Sequence, residues 1–391
     1  MLPTILATAV INLDRRELQI LPTWMKPSRL LFGVLLLAVT LLAYLIPYYD
    51  WDLVAYIGSA IALHERDSSI IQQQAYAALR TGLPEDDYAD IATGSDFRSE
   101  VAKNANHFRQ QLRFYQIRPL YIWTLAALHS LGIGYVQATR IVSAAAFFLI
   151  GILMRGWLRR YVGEIQAAIC AILLLIAPVL FTSARTGSPD ALSALVLLLG
   201  VYLLIERDAV LFGSALLLLS LTLRTDNVLF VFLFLGIEAL QADGKRIRAI
   251  AALATMASVA IVLIINYTEH SYPWAVLMQN TAMPIVNPAD VSARISVSDY
   301  FTALHDMIDE ARENSMMVFP FIAAIALFSR TPTQLKRLVK IVLLSWAVHI
   351  IIFPHIEDRY FIAGAAMIGV AAVVGLLKAT ETSVPFAVAN G

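Results

Sequence analysis

The sequence predicts an all-α polytopic membrane protein with about ten transmembrane helices. Of its 391 residues, 59% are hydrophobic and only 15% are charged, and the mean hydropathy is +0.70. A soluble domain of this length is much less apolar. Apolar segments close to the length that crosses a bilayer recur along the chain, and short basic clusters separate them.

Charge and cysteine content exclude several classes of function. The formal net charge is zero, so no overall field attracts nucleic acid, and we expect no nucleic-acid partner. The single cysteine, Cys170, allows neither a disulfide nor a cysteine metal site within one chain. The sequence also lacks a Walker A loop and a dinucleotide-binding glycine motif, so it offers no recognisable nucleotide site.

The N-terminal region predicts a retained first span. Arg15, Arg16, Lys26 and Arg29 precede an apolar segment of about twenty residues, and no small-residue cleavage site follows it. Because cytoplasmic loops collect Lys and Arg, residues 1–28 are assigned to the cytoplasm.

Assigning the later basic clusters to the cytoplasm as well gives ten spans with both termini inside. These predicted spans are 29–49, 136–157, 165–182, 188–205, 209–223, 227–240, 249–266, 316–329, 341–353 and 361–377. The segment 119–132 is either a re-entrant or interfacial helix or a full span. A full span would export three basic clusters, so the first alternative is favoured.

Two long segments, 50–118 and 267–315, are predicted to be extracytoplasmic. Apolar residues spaced three and four apart in the first segment predict a helix that lies on the membrane or on the bundle. They are Phe97, Val101, Ala105, Phe108, Leu112 and Tyr115. Residues 1–391 are expected to form a single membrane-embedded domain with a tail at 379–391.

Four polar clusters fall on the extracytoplasmic side of this topology. They are Tyr49-Asp50-Trp51-Asp52, Arg185-Thr186-Gly187-Ser188-Pro189-Asp190, Arg224-Thr225-Asp226-Asn227 and Pro354-His355-Ile356-Glu357-Asp358-Arg359-Tyr360. An ionisable residue near the hydrocarbon is costly and predicts a functional site. Asp50 and Asp52 are expected at a helix C-terminus, the unfavourable end of the helix dipole for a carboxylate, so capping does not explain them.

The other clusters also have structural interpretations. Ser188 and Asp190 are typical of a helix start, and Asp226 is suited to cap the next helix. Arg224 and Arg359 could extend their charged groups from helix ends towards water. The histidines form no metal pattern, and one Asp-x-Asp is a weak metal signal, so no metal ligand is predicted and a divalent cation is left open.

Together the motifs resemble the GT-C class of membrane glycosyltransferases over residues 29–230. Trp51-Asp52 followed by Tyr56 is similar to the aromatic-Asp-aromatic stretch of protein O-mannosyltransferases and aminoarabinose transferases. Arg118-Pro119-Leu120-Tyr121 and Arg140-Ile141-Val142-Ser143 follow in a similar order. The chain departs from the O-mannosyltransferases in having no acidic residue directly after Asp52.

The resemblance implies an inverting transfer of a sugar from a polyprenyl-phosphate donor to a hydroxyl of a glycan, lipid or protein. It places the enzyme in the bilayer, as an integral protein of the bacterial cytoplasmic membrane, with its site on the extracytoplasmic face. Asp52 is the first choice for the general base, and Asp50 is the second choice or an orienting group. The expected substrate-binding residues are Arg359, with Arg118, Arg185 and Arg224 behind it for phosphate, His355, Tyr360 and Asp190 for sugar hydroxyls, and Tyr56 as the motif aromatic.

Two other functions are compatible with the sequence. One is a transporter or flippase of a lipid-linked sugar, although such proteins commonly show internal repeats and midplane polar groups. The other is a non-catalytic subunit that binds a lipid-linked glycan, in which the two aspartates would have no chemical role.

Overall fold

The computed structural model describes residues 27–313 and 318–381, and every regular element in these two ranges is helical. It contains nineteen α helices there, numbered α1 to α19 below. This confirms the all-α prediction for the described residues. The predicted N-terminal segment 1–28, apart from its last two residues, and the predicted tail from residue 382 onward lie outside the described part.

Apolar helices overlap every predicted span. They are α1 (Pro27–Leu45), α8 (Tyr135–Leu158), α9 (Glu164–Leu175), α10 (Pro178–Arg185), α11 (Asp190–Arg207), α12 (Val210–Ser220), α13 (Val228–Gln241), α14 (Lys245–Thr268), α17 (Phe319–Phe328), α18 (Thr333–Ile352) and α19 (Ile362–Glu381). By length and composition, α1, α8, α14 and α19 could each cross a membrane. The chain therefore has the character of a membrane protein, while ten crossings and their direction stay predictions.

The predicted span 165–182 is two helices rather than one. Helices α9 and α10 meet at an angle of 67°. Pro178 begins α10, and a proline has no backbone N–H to donate to the preceding turn. The break follows from this residue, and the pair is either a broken span or a re-entrant loop.

The segment 50–118 folds into five short helices. They are α2 (Asp52–Ile61), α3 (Ser68–Gly82), α4 (Glu85–Thr93), α5 (Asp96–Lys103) and α6 (Ala105–Gln116). The side chain of Asp67 caps α3 by accepting from Ser69 N at 2.8 Å. Asn104 caps α6 by accepting from Asn106 N at 3.0 Å, so the single helix predicted over this region is divided at Asn104.

The apolar stripe of α5 and α6 packs inside the protein. Val101, Phe108 and Leu112 are fully buried in one cluster with Leu53 and Ile57 of α2. The sequence left open whether this stripe packs on the membrane or on the protein. These side chains pack on the protein. The stripe therefore fixes α2, the helix that begins with Asp52.

Helix α7 (Pro119–Ser130) occupies the segment whose status was open. Its twelve residues extend about 18 Å, which is shorter than the hydrocarbon core. Tyr121 and Leu125 bury against Tyr56 of α2. Helices α12 and α17, which overlap predicted spans, are no longer than α7, so both alternatives for 119–132 stay predictions.

The segment 267–315 also contains helices, α15 (Trp274–Ala282) and α16 (Val297–Glu313). Trp274 Nε1 donates to the carbonyl of Ile352 at 2.9 Å, and the Tyr300 hydroxyl donates to the carbonyl of Ile351 at 2.6 Å. Both helices are thus attached to the end of α18, just before the cluster that contains Arg359.

The largest core joins helices from both ends of the chain. It includes Phe147 of α8, Leu198 of α11, Phe234 of α13, Val342 of α18 and Ile368 of α19. Because α18 and α19 flank residues 353–361, this core brings that loop to the ends of α10 and α11.

We predict that Gly58→Ala destabilises the protein through the packing of α2 on α6. A Cβ atom at Gly58 would lie 2.6 Å from Phe108 Cζ and 3.1 Å from Leu112 Cδ2, and both side chains are fully buried. Overpacking of this kind costs about 1–3 kcal/mol, so the melting temperature in detergent should fall.

Gly156→Ala in α8 is the matched control, since nothing lies within 4 Å of its added Cβ. Alanine has the higher helix propensity, so this variant should melt at the wild-type temperature or slightly above it. Equal melting temperatures for the two variants would show that α2 and α6 do not pack as described.

Candidate functional site

The chain after α1 is fixed to the end of α10 by two hydrogen bonds to main-chain carbonyls. Tyr48 N donates to the carbonyl of Arg185 at 3.0 Å, and Arg185 Nε donates to the carbonyl of Ile46 at 2.6 Å. These bonds satisfy backbone groups that the helix ends leave unpaired. They place Asp50 and Asp52 beside the cluster that follows α10.

Asp52 lies at the start of a helix, contrary to the sequence prediction. The first span was expected to run to residue 49, but α1 ends at Leu45 and α2 begins at Asp52. A carboxylate in the first turn is stabilised by the helix dipole. The prediction that Asp52 lies at the C-terminal end of a helix dipole was therefore wrong, and a function of Asp52 would depend on its side-chain contacts.

Two side chains from distant parts of the sequence hold the Asp52 carboxylate. Arg359 Nη1 forms an ion pair with Oδ2, and the Tyr115 hydroxyl donates to Oδ1 at 2.6 Å. Arg359 Nε also donates to Glu357 Oε2 at 2.7 Å. Burial opposes ionisation of Asp52, but Arg359 and Tyr115 hold its pKa below the usual value.

A second arginine lies next to this pair and is almost fully buried. Arg224 makes two hydrogen bonds to the Asp226 carboxylate, at 3.1 and 3.0 Å, and an ion pair with Asp190. Its Nη1 also lies 3.5 Å from the carbonyl of Arg359. The Tyr360 ring is shared, with its centroid 4.9 Å from the Arg224 guanidinium and 5.7 Å from that of Arg359.

The expected helix caps are not caps in the structure. Ser188 Oγ donates to Asp190 Oδ2 at 2.8 Å, and α11 begins at Asp190 with no side-chain cap. Asp226 lies in a 3₁₀ turn, Thr225–Asn227, also without a side-chain cap, and its carboxylate binds Arg224. The predicted helix start is confirmed, since Asp190 is the first residue of α11, but neither Ser188 nor Asp226 forms a side-chain cap. Arg224 instead binds the carboxylates of Asp190 and Asp226.

Three further predicted residues border the cluster. The Arg118 guanidinium lies over the rings of Tyr56 and Tyr115, 5.4 and 5.6 Å from their centroids. His355 Nε2 lies 3.6 Å from Glu357 Oε2. The charge of Arg118 acts on the Asp52 carboxylate and His355 faces Glu357, so both groups border the carboxylates of the cluster.

The predicted site residues are therefore brought together, with one exception. Those in or beside the cluster are Asp50, Asp52, Tyr56, Arg118, Asp190, Arg224, His355, Arg359 and Tyr360. The side chain of Arg185 instead binds the backbone of α1 at Ile46. Arg185 thus makes a structural contact with the end of α1. Among the described residues, its side chain forms no hydrogen bond with Arg224 or Arg359.

Asp50 differs from Asp52 in having little to stabilise a charge. Its Oδ1 is buried and has no hydrogen-bond partner within the described ranges. Burial raises the pKa of Asp50, and the neighbouring charge of Asp52 raises it further, to about 8. At neutral pH the pair therefore consists of an ionised Asp52 and a protonated Asp50.

Sequence reasoning missed three side chains of the cluster: Asp226, which was interpreted as a helix cap, Tyr115 and Glu357. Tyr115 was interpreted only as part of an apolar stripe, and Glu357 only as a member of a polar run. The available signal for Tyr115 was its hydroxyl at the end of that stripe, three residues before Arg118. A tyrosine in a buried stripe needs a partner for its hydroxyl, and here the partner is Asp52.

Within residues 27–313 and 318–381, no three His, Cys, Asp or Glu side chains form a group that could hold a metal ion. The use of a divalent cation stays open.

Comparison with known proteins identifies no family for the chain. No family model, no curated protein and no solved structure matches it. Its function must therefore be argued from the residues of the cluster.

We predict that Asp50 makes stability fall as pH rises. A carboxyl with a pKa of about 8 in the folded protein and near 3.8 when unfolded binds more protons in the folded state between these values. As the pH rises between these values, the unfolded state loses the proton before the folded state does, so the free energy of unfolding falls. Asp50→Asn cannot ionise, so its melting temperature relative to wild type should increase from about pH 5 to pH 9.

Asp86→Asn in α4 is the control, because Asp86 is exposed and lies outside the cluster. Its melting temperature should follow the wild type across the same range. A constant difference between Asp50→Asn and wild type would mean that Asp50 does not titrate in this window.

Proposed function

We propose that the chain is an inverting glycosyltransferase of the GT-C type. It would move a sugar from a polyprenyl-phosphate donor to an acceptor hydroxyl at the extracytoplasmic face of a bacterial cytoplasmic membrane. The observation that carries the proposal is the contact of Asp52 with Arg359, beside Asp50 and the buried Arg224. A group that could accept a proton and a cation that could bind phosphate are thus in direct contact.

Each group suits one part of an inverting displacement. The acceptor oxygen attacks the anomeric carbon while the bond from that carbon to the phosphate oxygen breaks on the opposite face. The acceptor proton passes to a carboxylate, and the electron pair of the broken bond leaves with the polyprenyl phosphate. Arginine can hold that phosphate through paired, charge-assisted hydrogen bonds.

The two aspartates divide the work by their protonation state. Only an ionised carboxylate can accept a proton, and the lowered pKa of Asp52 keeps it ionised at neutral pH. Burial and the charge of Asp52 raise the pKa of Asp50 to about 8, so its protonated form predominates at neutral pH and suits hydrogen bonding to a hydroxyl of the acceptor or the sugar. This supports Asp52 as the base and Asp50 as the orienting group.

Donor binding would also activate the base. In the unliganded structure Arg359 is paired with Asp52, and this pairing weakens the carboxylate as a base. A donor phosphate competes for the same guanidinium. When Arg359 turns to the phosphate, Asp52 loses its cationic partner and its basicity increases, so proton removal is coupled to the presence of a donor.

The surroundings fit a donor with a lipid tail. A recess beside Tyr360 runs between α11, α13, α18 and α19, and its walls include Phe230, Trp346, Phe361 and Met367. The recess is also lined by Asp226, Asn227, Ser345 and His349, and it reaches the two arginines through the Tyr360 ring. The acceptor class, whether glycan, lipid or protein, is not distinguished by any contact of the cluster.

We predict that Asp52→Asn folds but loses turnover by about 10²- to 10⁴-fold, the range typical of a general base. The assay uses purified protein with a panel of polyprenyl-phosphate sugars and measures released polyprenyl phosphate. The exposed Asp86→Asn is the matched control and should keep full activity. Full activity of Asp52→Asn would remove the base assignment.

Two substitutions of Arg359 distinguish phosphate binding from a purely structural role in the same assay. Arg359→Ala should lose most activity, and Arg359→Lys should regain part of it, because lysine keeps the charge without the planar fork. Wild-type activity of both variants would return Arg359 to a structural role. Movement of a lipid-linked sugar across vesicles, without transfer from any donor, would replace the enzyme proposal by the transport alternative.

A further inference from the structure

A second charged cluster lies at the other end of the helices that lead to Asp52. Glu164, the first residue of α9, pairs with three arginines. Arg29 Nη2 lies 3.4 Å from Oε2, Arg159 Nε lies 2.5 Å from Oε2, and Arg155 Nη2 binds Oε1. These four side chains are called the Glu164 cluster below.

The Glu164 cluster carries a net positive charge, unlike the site around a second carboxylate, Glu206. Its members carry three positive charges and one negative charge. Glu206, by comparison, accepts from one arginine, Arg160, and from the neutral Trp157 and Tyr161. The side chain of Arg159 is 41% exposed, so an anion from outside can reach it.

Apolar surfaces extend from the cluster along both neighbouring helices. On α1 the side chains of Leu31 and Val34 are 60% and 64% exposed, and on α9 Leu173 is 57% exposed. Helices α1 and α9 contact each other. A lipid with an anionic headgroup at the arginines could therefore lay its two hydrocarbon chains along these side chains.

The cluster is well separated from the Asp52 site. Arg29 and Tyr44 lie fifteen residues apart on α1, which is about 22 Å of helix. Tyr44 contacts the opposite end of α8, where its hydroxyl donates to Gln137 at 2.6 Å. One end of α1 and α8 thus leads to the aspartates, and the other end carries the arginines.

We propose that the Glu164 cluster binds the phosphate of an anionic phospholipid headgroup, with the acyl chains lying on α1 and α9. Arginine recognises phosphate oxygens through charge-assisted hydrogen bonds, and basic clusters at the ends of membrane helices attract anionic lipids. The adjoining apolar surface favours a lipid over a soluble phosphate. The assignment does not depend on the glycosyltransferase proposal, since it uses none of the residues of that site.

Phosphatidylglycerol titrated into detergent-purified protein, with bound lipid counted by native mass spectrometry, tests this site. Arg159→Gln should bind phosphatidylglycerol about fivefold more weakly, the factor expected for one basic residue near anionic lipid. Arg66→Gln is the matched control, because Arg66 is exposed between α2 and α3, in the segment predicted to lie on the opposite side of the membrane. It should bind the lipid as wild type does.

A second variant distinguishes a lipid site from a purely structural network. Glu164→Gln removes the competing carboxylate, so phosphatidylglycerol should bind about fivefold more tightly, even if melting without the lipid occurs at a lower temperature. Phosphatidylcholine should show no such difference among the variants.

Two results would overturn the proposal. One is equal phosphatidylglycerol binding by wild type, Arg159→Gln and Glu164→Gln. The other is inorganic phosphate alone raising the wild-type melting temperature as much as phosphatidylglycerol does, with the effect lost in Arg159→Gln. That outcome would identify a soluble-anion site instead of a lipid site.

Discussion

The ion pair of Asp52 and Arg359 determines how the rest of the polar cluster is arranged. It joins the helix that follows α1 to the loop before α19, across 307 positions of sequence. A partly buried charge needs a partner, and losing one partner leaves the other uncompensated. The same rule explains Arg224, which is 4% exposed and takes both Asp190 and Asp226. Tyr360 lies against both guanidinium groups.

Much of this arrangement could be predicted from the sequence because long apolar segments and polar clusters leave strong signals. Helices overlap every predicted span, and all four polar clusters meet through Asp52, Asp190, Arg224 and Arg359. The details depended on local chemistry that hydropathy does not register. Pro178 breaks a span by removing one backbone donor. The early end of α1 at Leu45 turned an expected helix C-terminus into a helix start.

Side-chain partnerships were the least predictable level. Periodicity placed Tyr115 on a buried face, but only the three-dimensional structure shows that its hydroxyl reaches Asp52. Likewise, two aspartates separated by one residue look alike in sequence. Their environments push the pKa of Asp50 up and that of Asp52 down, and this separation is the basis for giving the two aspartates different proposed roles. At the far end of α1, the Glu164 cluster carries a net positive charge on the predicted cytoplasmic side.

The most direct test of the central ion pair is a double-mutant cycle on melting in detergent, with Asp52→Asn, Arg359→Gln and the double variant. Because each single variant leaves one charge without its partner, the double variant should be more stable than the sum of the single losses predicts. Residues in contact couple by about 0.5–3 kcal/mol. Additive losses would contradict the contact between Asp52 and Arg359, and with it the arrangement of base and phosphate-binding cation on which the proposed function depends.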